Sequence, residues 1–436
     1  MHCTALLSVI FYCGAVLSTP LSSSLGRYSR YASRRAESTG LRAVGYFGNW
    51  DIYARNFFVT DIDVSQLTHL IYSFANIDNT TGEVLLSDEW ADLQYAYPGD
   101  DTTANGTNVY GGIKQMFLLK KKNRSLKTML SVLGATYSAY FSPILASESL
   151  RANFATTALK LMTDLGFDGI DIDYEYVQNS TEAWQMVDLL SKLRSGMDVI
   201  SSNTSCSPFL LSYASPAGPL KYTQLDMAGM DQYLDFWNYM GFDYAGSWDT
   251  IAGHSSNLFA SSDNPLSTPF NTSTAINYYL TTGGVPASKI NLGSPLYAHA
   301  FAGTEGPGKP FNGTGTEGSF GIAGTWDYKA LPVEGYNATV YNSKKIGASW
   351  SYDSAKKYMI SYDTPAIAKQ KAGWIMKMGL GGSMWWEVSM DKNGTESLIG
   401  STVKTFGGKK ALDSSKNHLS YPTSKYENLR KGFPEE

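Results

Sequence analysis

Residues 166–176 read Gly-Phe-Asp-Gly-Ile-Asp-Ile-Asp-Tyr-Glu-Tyr, a run in which acidic and apolar side chains alternate. Side chains of a β-strand alternate between its two faces. Asp171, Asp173 and Glu175 therefore share one face of the predicted strand, and the isoleucines between them share the other. The apolar face suits a layer of packed helices, so we expect the three acids to turn toward the interior of a barrel.

Short apolar runs alternate with longer helical patterns along the rest of the chain. Two of these patterns, residues 149–165 and 181–199, predict helices. Eight strands separated by helices predict a parallel sheet closed as a (β/α)8 TIM barrel, an α/β fold. An open doubly wound sheet is the alternative, but no Gly-rich phosphate-binding turn follows an early strand. The predicted strands are Arg42–Phe47, Leu67–Asn76, Lys127–Leu133, Gly169–Asp173, Phe209–Ala214, Leu234–Asp243, Lys289–Pro295 and Gly381–Trp386.

The chain divides into five predicted segments. An apolar run at residues 5–16, followed by small residues, is typical of a secretory signal peptide. The arginines that follow, ending in the pair Arg34-Arg35, indicate either a disordered arm or a pro-segment that is trimmed there. A Gly- and Tyr-rich stretch predicts a small α+β insertion between strands 7 and 8. The segments are 1–19 (signal peptide), 20–35 (candidate pro-segment), 40–301 (barrel strands 1–7), 302–361 (insertion) and 362–436 (strand 8 and the C-terminal segment).

The net charge and local motifs restrict the predicted cellular location of the protein and its predicted binding partners. The formal net charge of −4 becomes more negative if residues 1–35 are removed, which disfavours nucleic-acid binding. No run reaches the ~20 apolar residues of a membrane span. We interpret Lys120–Lys122 as the solvated end of a helix, and we expect a secreted, extracellular monomer. Nine Asn-x-Ser/Thr sequons favour export: Asn79, Asn105, Asn123, Asn179, Asn203, Asn271, Asn312, Asn337 and Asn393.

The three acids predict general acid chemistry. Burial and mutual repulsion both oppose ionisation, so at least one of them should have a raised pKa. A general acid that works near neutral pH needs this property. Glu175 is the last acid before the C-terminal mouth of the barrel, where active sites of this fold lie. A divalent-cation site and a structural polar cluster are the alternatives. No His-rich ligand motif accompanies the acids, so we predict no metal and no cofactor.

The segment Asp168–Glu175 resembles the signature of glycoside hydrolase family 18, the chitinases and their relatives. Other motifs of that family follow in the same order over nearly the whole mature chain. The resemblance is nearest to the secreted fungal endochitinases, which share the tail Leu419-Ser420-Tyr421-Pro422. The other matching motifs are Gly45–Trp50, Ser215–Pro219, Asp243–Trp248 and Gly381–Glu387.

The resemblance implies hydrolysis of β-1,4 bonds between N-acetylglucosamine units of chitin or chito-oligosaccharides, with retained configuration. Family 18 is a substrate-assisted exception among retaining glycosidases. By this analogy Glu175 is the acid and base, Asp173 orients the acetamido group, and Asp171 shares a proton with Asp173. Trp386 is expected to floor the cleavage subsite. The residues expected at the substrate are Tyr46, Phe47, Tyr176, Met240, Phe242, Asp243 and Trp386.

Four residues depart from the family pattern. Leu133 and Ala135 stand where the third strand usually carries glycine and tryptophan. Phe242 replaces a tyrosine whose hydroxyl normally donates to the acetamido carbonyl, and His299 replaces an arginine. One lost donor of this kind typically costs ~10²–10³ in rate. We therefore expect a chitinase of reduced or unusual activity; the alternatives are a chito-oligosaccharide-binding pseudoenzyme and a scaffold with a blocked barrel.

Overall fold

The computed structural model describes residues 40–204 and 207–434. The predicted signal peptide (1–19) and pro-segment (20–35) lie outside the described residues. Within the described ranges, no helix combines the length and the apolar character that a membrane span requires.

Eight parallel strands close into a barrel. The last strand, near the C-terminus, pairs with both the seventh and the first, and the first also pairs with the second. This closed ring confirms the (β/α)8 prediction and excludes the open doubly wound sheet. The strands are β1 (Arg42–Gly48), β2 (His69–Ile77), β3 (Val84–Leu86), β4 (Lys127–Leu133), β5 (Gly169–Asp173), β6 (Leu210–Ser215), β7 (Phe236–Tyr239), β8 (Ile290–Pro295), β9 (Tyr297–Ala302), β10 (Thr325–Asp327), β11 (Thr339–Ser343), β12 (Ala348–Asp353), β13 (Tyr358–Ser361) and β14 (Gly382–Trp386). The barrel consists of β1, β2, β4 to β8 and β14.

Helices cover the outside of the barrel. The long helix before β5 begins where the side chain of Ser147 accepts a hydrogen bond from the backbone N–H of Leu150. It ends at Gly166, whose φ of 76° suits a residue without a Cβ. The described α-helices are α1 (Gly111–Lys122), α2 (Gly134–Ser138), α3 (Phe141–Ala146), α4 (Glu148–Leu165), α5 (Ser180–Thr204), α6 (Pro219–Tyr222), α7 (Met227–Asp231), α8 (Thr272–Thr281), α9 (Pro365–Met378), α10 (Leu398–Phe406) and α11 (Glu427–Arg430).

The insertion between β8 and β14 is an antiparallel sheet in the order β10-β9-β13-β12-β11. It begins at Tyr297, earlier than the expected boundary at residue 302, because only Leu296 separates β9 from β8. The expected α+β character is wrong: residues 297–361, all described, contain strands and 3-10 turns but no α-helix. The physical reason is the density of glycines with positive φ between β9 and β10, which oppose helix formation.

The barrel separates two buried clusters. Ile170 and Ile172 of β5 face outward into the main core between strands and helices, and both are fully buried. A smaller cluster, which includes Tyr46, Met240 and Met384, fills the barrel interior. The alternation expected for β5 therefore directs its carboxylates inward.

Lys120 contradicts the expectation of a solvated helix end. Its side chain is fully buried, and its Nζ atom lies 3.0 Å from Oδ2 of Asp168. The same ammonium donates to the carbonyl of Gly166 at 2.7 Å and to the hydroxyl of Tyr421 at 2.8 Å. A buried ammonium needs such partners. This contact joins α1, the start of β5 and the C-terminal segment at the end of the barrel opposite the mouth.

Candidate active site

A cavity of about 550 Å³ opens at the C-terminal ends of the barrel strands. Asp173 and Glu175 both line it, and Asp171 lies buried on the same side of β5. Parallel strands of a barrel present their C-terminal ends together, so the acids meet residues from several other strands. Six other predicted substrate residues line the same cavity: Tyr46, Tyr176, Met240, Phe242, Asp243 and Trp386.

Asp171 is surrounded by hydrogen-bond donors. It accepts hydrogen bonds from the hydroxyls of Tyr46 (2.9 Å), Ser131 (2.8 Å) and Ser212 (2.5 Å). The Nδ2 atom of Asn238 lies 3.4 Å from its Oδ1. Burial raises the pKa of Asp171, and the surrounding donors lower it. Burial outweighs the four donors, so the net effect is a raised pKa.

Asp173 has the opposite environment. Its Oδ1 atom is buried and has no hydrogen-bond partner. Burial, and then the charges of Glu175 and Asp171, raise the pKa of Asp173 well above its usual value. The pKa of both carboxyls is raised, that of Asp173 the more strongly, so the ionised form of Asp173 is disfavoured in this cavity.

Glu175 is fixed by a hydroxyl that sequence reasoning missed. The backbone N–H of Glu175 donates to Oγ of Ser138 at 2.9 Å. The Ser138 hydroxyl lies within hydrogen-bonding distance of the carbonyls of Gly134 (2.8 Å) and Asp173 (3.3 Å). Helix α2 thus holds the backbone where the acid leaves β5, and a lone serine in a short helix offers no sequence signal of that role.

The side chain of Glu175 is suited to hold a proton. Burial raises the pKa of Glu175, a hydrogen bond from Tyr176 lowers it, and the charge of Asp243 raises it again. The net effect is a raised pKa. This is the property that a general acid working near neutral pH requires.

Aromatic rings form one wall of the cavity. Trp386 packs against Phe74, with ring centroids 5.5 Å apart and planes at 20°. Trp50 contacts both rings, 5.9 Å from Phe74 and 6.2 Å from Trp386, and Tyr46 lies 5.6 Å from Trp386. Sequence reasoning named Tyr46 and Trp386 but missed Trp50 and Phe74 as wall residues, although Trp50 stands in the quoted first-strand motif.

Phe47 does not line this wall, so the prediction that it contacts the substrate is wrong. Its side chain is fully buried in the outer core, where it packs against Phe57 and Tyr72. Tyr46 and Phe47 are neighbours on β1, so they point to opposite faces of the strand. Only one of them can reach the barrel interior.

Asp243 anchors the opposite wall. Its Oδ1 atom accepts a hydrogen bond from the hydroxyl of Tyr297 at 2.5 Å and lies 2.7 Å from Nε2 of His299. Both partners come from β9, where residues 297 and 299 share a face. The insertion sheet thus completes the cavity, which the sequence did not indicate.

The residues that depart from the family pattern differ in whether they line the cavity. Leu133 has a φ of 90° and a ψ of −90°, and its side chain is fully buried in the outer core, away from the cavity. Ala135 and Phe242 line the cavity, where they supply neither an indole nor a hydroxyl. The cavity above Asp173 is therefore open. In the part of the chain that the structure describes, no group of three or more His, Cys, Asp and Glu side chains is arranged to hold a metal ion.

Comparison with known proteins agrees with this geometry. Residues 42–391 match the family described as glycosyl hydrolases family 18. "Chitinase 1" of Aphanocladium album is 45% identical over 418 residues, covering 96% of this chain and 95% of that protein. "Endochitinase 1" of Metarhizium robertsii is 45% identical over 399 residues, covering 90% and 92%. The solved catalytic domain of psychrophilic chitinase B from Arthrobacter TAD20 has a TM-score of 0.77 and 29% identity, over 86% of this chain and 98% of that one. The resemblance read from the motifs is confirmed, and the chain belongs to the glycosyl hydrolases of family 18.

Proposed function

We propose that the protein is a secreted chitinase that cleaves β-1,4 bonds between N-acetylglucosamine units with retention of configuration. The observation that carries this proposal is the buried Oδ1 atom of Asp173, which has no hydrogen-bond partner and lies in a cavity beside Glu175, whose pKa is raised by burial. A buried acceptor without a donor is costly unless a ligand satisfies it. The N–H of an acetamido group is a donor of the right kind.

The charge state of the acids favours a substrate-assisted reaction. A retaining glycosidase of the common type needs an ionised carboxylate as its nucleophile. Burial and the charges of Glu175 and Asp171 disfavour the ionised form of Asp173, and the oxygens of Asp171 are occupied by donors, so neither is suited to attack the sugar as a free carboxylate. The carbonyl oxygen of the substrate's own acetamido group fills this role.

The proposed steps balance in atoms and charge. The acetamido oxygen bonds to the anomeric carbon while the glycosidic C–O bond breaks, and the leaving oxygen takes the proton of Glu175. The ring formed on the sugar carries positive charge, and negative charge on the pair Asp171 and Asp173 stabilises it. The carboxylate of Glu175 then takes a proton from water, whose oxygen bonds to the anomeric carbon and releases the acetamido group. One water molecule is consumed and Glu175 is protonated again.

Export is the second part of the proposal. Seven of the nine sequon asparagines are exposed, as glycosylation requires, whereas Asn123 and Asn271 are half-buried. The fungal relative from Metarhizium is named an endochitinase. We therefore propose chitin or chito-oligosaccharides outside the cell as the substrate.

The proposal is tested with Glu175→Gln and a chitotetraose that carries a chromophore at its reducing end. The amide keeps the shape of the side chain but cannot serve as the acid, so we expect kcat to fall roughly 10²- to 10⁴-fold. Binding of unlabelled chitotetraose, measured by isothermal titration calorimetry, should persist. Proton NMR of the wild-type reaction should show the β-anomer of the product first, as retention requires.

Glu305→Gln is the matched control, because this side chain is exposed and pairs only with Lys357 on the surface. Its kcat should equal that of the wild type. Equal loss of kcat in both variants would contradict the assignment of Glu175, and an α-anomer as the first product would contradict retention.

A chito-oligosaccharide-binding pseudoenzyme is the second candidate, and Phe242 is the observation that favours it. This residue lines the cavity without a hydroxyl to hold the acetamido carbonyl. The two candidates separate in one assay: a wild-type protein that binds chitotetraose and releases no product over days is the binding protein. A protein that neither binds nor cleaves would support the blocked barrel.

A further inference from the structure

Lys221 lines the catalytic cavity on the side of β6. Three of the described residues that line this cavity carry a carboxyl group, and Lys221 is the single one that carries an ammonium or a guanidinium. Its Nζ atom donates to the side-chain oxygen of Gln178 at 3.0 Å, and no carboxylate of the described part of the chain pairs with it. Its positive charge is therefore not offset by a neighbouring acid.

The short helix α6 fixes the direction of this side chain. It begins after β6 at Pro219, a residue suited to the first position of a helix. The next residue after the lysine, Tyr222, is buried, and its ring lies 4.8 Å from Tyr278 and 5.9 Å from Tyr279, both of α8. Consecutive residues of a helix point in different directions. The buried tyrosine thus anchors the helix and leaves Lys221 at the cavity.

Lys221 lies beside the proposed acid and across the mouth from the aromatic wall. Its Nζ atom is 6.0 Å from the centre of the Tyr176 ring, and Tyr176 hydrogen-bonds Glu175. Strand β6 is the neighbour of β5, which carries the acids, and stands directly opposite β1 in the closed ring. Tyr46 and Trp50 belong to the β1 side. A sugar chain that crosses the mouth therefore extends from the aromatic wall, past Glu175, toward the ammonium.

The charge of a sugar unit decides how it interacts with this ammonium. In the proposed reaction Asp173 holds the acetamido group of the unit that reacts, and Glu175 gives its proton to the unit that leaves. The leaving units then lie beyond Glu175, on the side of Lys221. An N-acetylglucosamine unit is neutral there, whereas a glucosamine unit carries its own ammonium in acid solution. Two positive charges a few ångströms apart repel each other.

We propose that Lys221 is a specificity-determining residue that excludes glucosamine units from the leaving-group side of the cleavage site. This inference rests on the proposed function, because the role of Glu175 gives the direction of the sugar chain. The negative charge of Asp243 in the same cavity attracts an ammonium, so a cation is needed to oppose it. Repulsion of like charges rejects the deacetylated unit and leaves the neutral unit unaffected. The substrate on this side is therefore acetylated chitin.

The test measures binding in the Glu175→Gln background, by isothermal titration calorimetry at pH 5. Two tetramers of equal charge are compared: one with glucosamine at both units of the reducing end, and one with glucosamine at both units of the non-reducing end. Asp173 needs an acetamido group, so only the first tetramer places glucosamine beside Lys221. We expect its Kd to be about tenfold higher than that of the second.

Substitution of residue 221 should change this ratio of Kd values. Lys221→Met removes the charge and should lower the ratio several-fold, whereas Lys221→Arg should keep it. High ionic strength should lower the ratio in the lysine protein and have little effect in Lys221→Met. Lys309→Met is the control, because Lys309 is exposed and does not line the cavity. It should leave the ratio unchanged.

Equal ratios in the lysine, methionine and arginine proteins would overturn the inference. That result would also identify a purely structural role, since loss of the contact with Gln178 would weaken both tetramers alike. Lys221→Gln is the second neutral variant if Lys221→Met does not fold. Failure of Glu175→Gln to bind fully acetylated chitotetraose would refute the proposed function and this inference with it. Binding of both tetramers with a ratio independent of residue 221 would refute this inference alone.

Discussion

Phe242 follows β7 at the cavity, with its ring edge-on to Tyr297 and centroids 6.1 Å apart. Under the proposed function, Phe242→Tyr adds a hydroxyl that can donate to the acetamido carbonyl of the substrate. We expect kcat/KM for labelled chitotetraose to rise by up to roughly 10²-fold, because one positioned donor typically contributes that much in the transition state. Steady-state kinetics measures the change.

Phe270→Tyr is the control for this substitution, since Phe270 also lines the cavity but belongs to a surface loop and is 37% exposed. It adds the same hydroxyl elsewhere and should leave kcat/KM unchanged. An unchanged or lower rate in Phe242→Tyr would mean that the sugar lies differently in this cavity, in the space that Ala135 leaves without an indole.

The direction of the Leu133 side chain could not be predicted from the sequence. On a regular strand its side chain would follow Ser131 into the barrel, where it would lie above the acids. A positive φ turns it into the outer core instead. Side-chain alternation can be read from a sequence, but a local reversal of the backbone at a non-glycine residue cannot, because most residues avoid that conformation.

The turn after β1 and the end of β14 meet in a buried pair of acids. Burial raises the pKa of Asp51 to about 6, although the neighbouring Glu387 and Arg55 lower it. Burial and the charge of Asp51 also raise the pKa of Glu387 well above its usual value. An acid with a raised pKa binds its proton more tightly in the folded state, so the contribution of Asp51 to stability is fully present in acid and is lost as the pH rises from about 4 to about 6.

Asp51→Asn should therefore stabilise the protein at pH 7 and have little effect at pH 4. A shift of about two pKa units corresponds to about 2 to 3 kcal/mol in the free energy of unfolding. Thermal unfolding at the two pH values measures the difference. Asp63→Asn is the control, because this exposed side chain caps a surface turn and an amide can accept the same hydrogen bond. An equal loss of stability at both pH values in Asp51→Asn would contradict the expected pH dependence.

The elements differ in how far the sequence predicts them. Strand β5 has the predicted bounds, since its acids and isoleucines alternate without interruption. The start of the insertion sheet was beyond prediction because β8 and β9 form one nearly continuous apolar run. The same limit applies at the site: the role of Asp243 in holding Tyr297 and His299 depends on a sheet that folds over the barrel, and no local pattern records such a long-range contact.

The asparagines of the nine glycosylation sequons differ in their exposure to solvent. If the proposed export takes place, we expect glycans on the exposed asparagines. Asn123 should stay unmodified, because its amide donates to the carbonyl of Val64. Asn271 should too, because its side-chain oxygen caps α8 through the backbone N–H of Thr274. Peptide mass spectrometry after enzymatic deglycosylation in ¹⁸O-water reports each site, and labelled Asn123 or Asn271 would contradict the exposure argument.

The ammonium of Lys120, enclosed by Asp168, Gly166 and Tyr421, has a consequence for how this enzyme can diverge. It joins the segment around Tyr421 to the end of the barrel opposite the catalytic cavity. Tryptophan, tyrosine and arginine side chains at the mouth of the barrel can therefore be replaced by smaller ones without loss of the Lys120 contact. The residues that vary at the mouth and the contacts that stabilise the scaffold thus lie at opposite ends of the barrel.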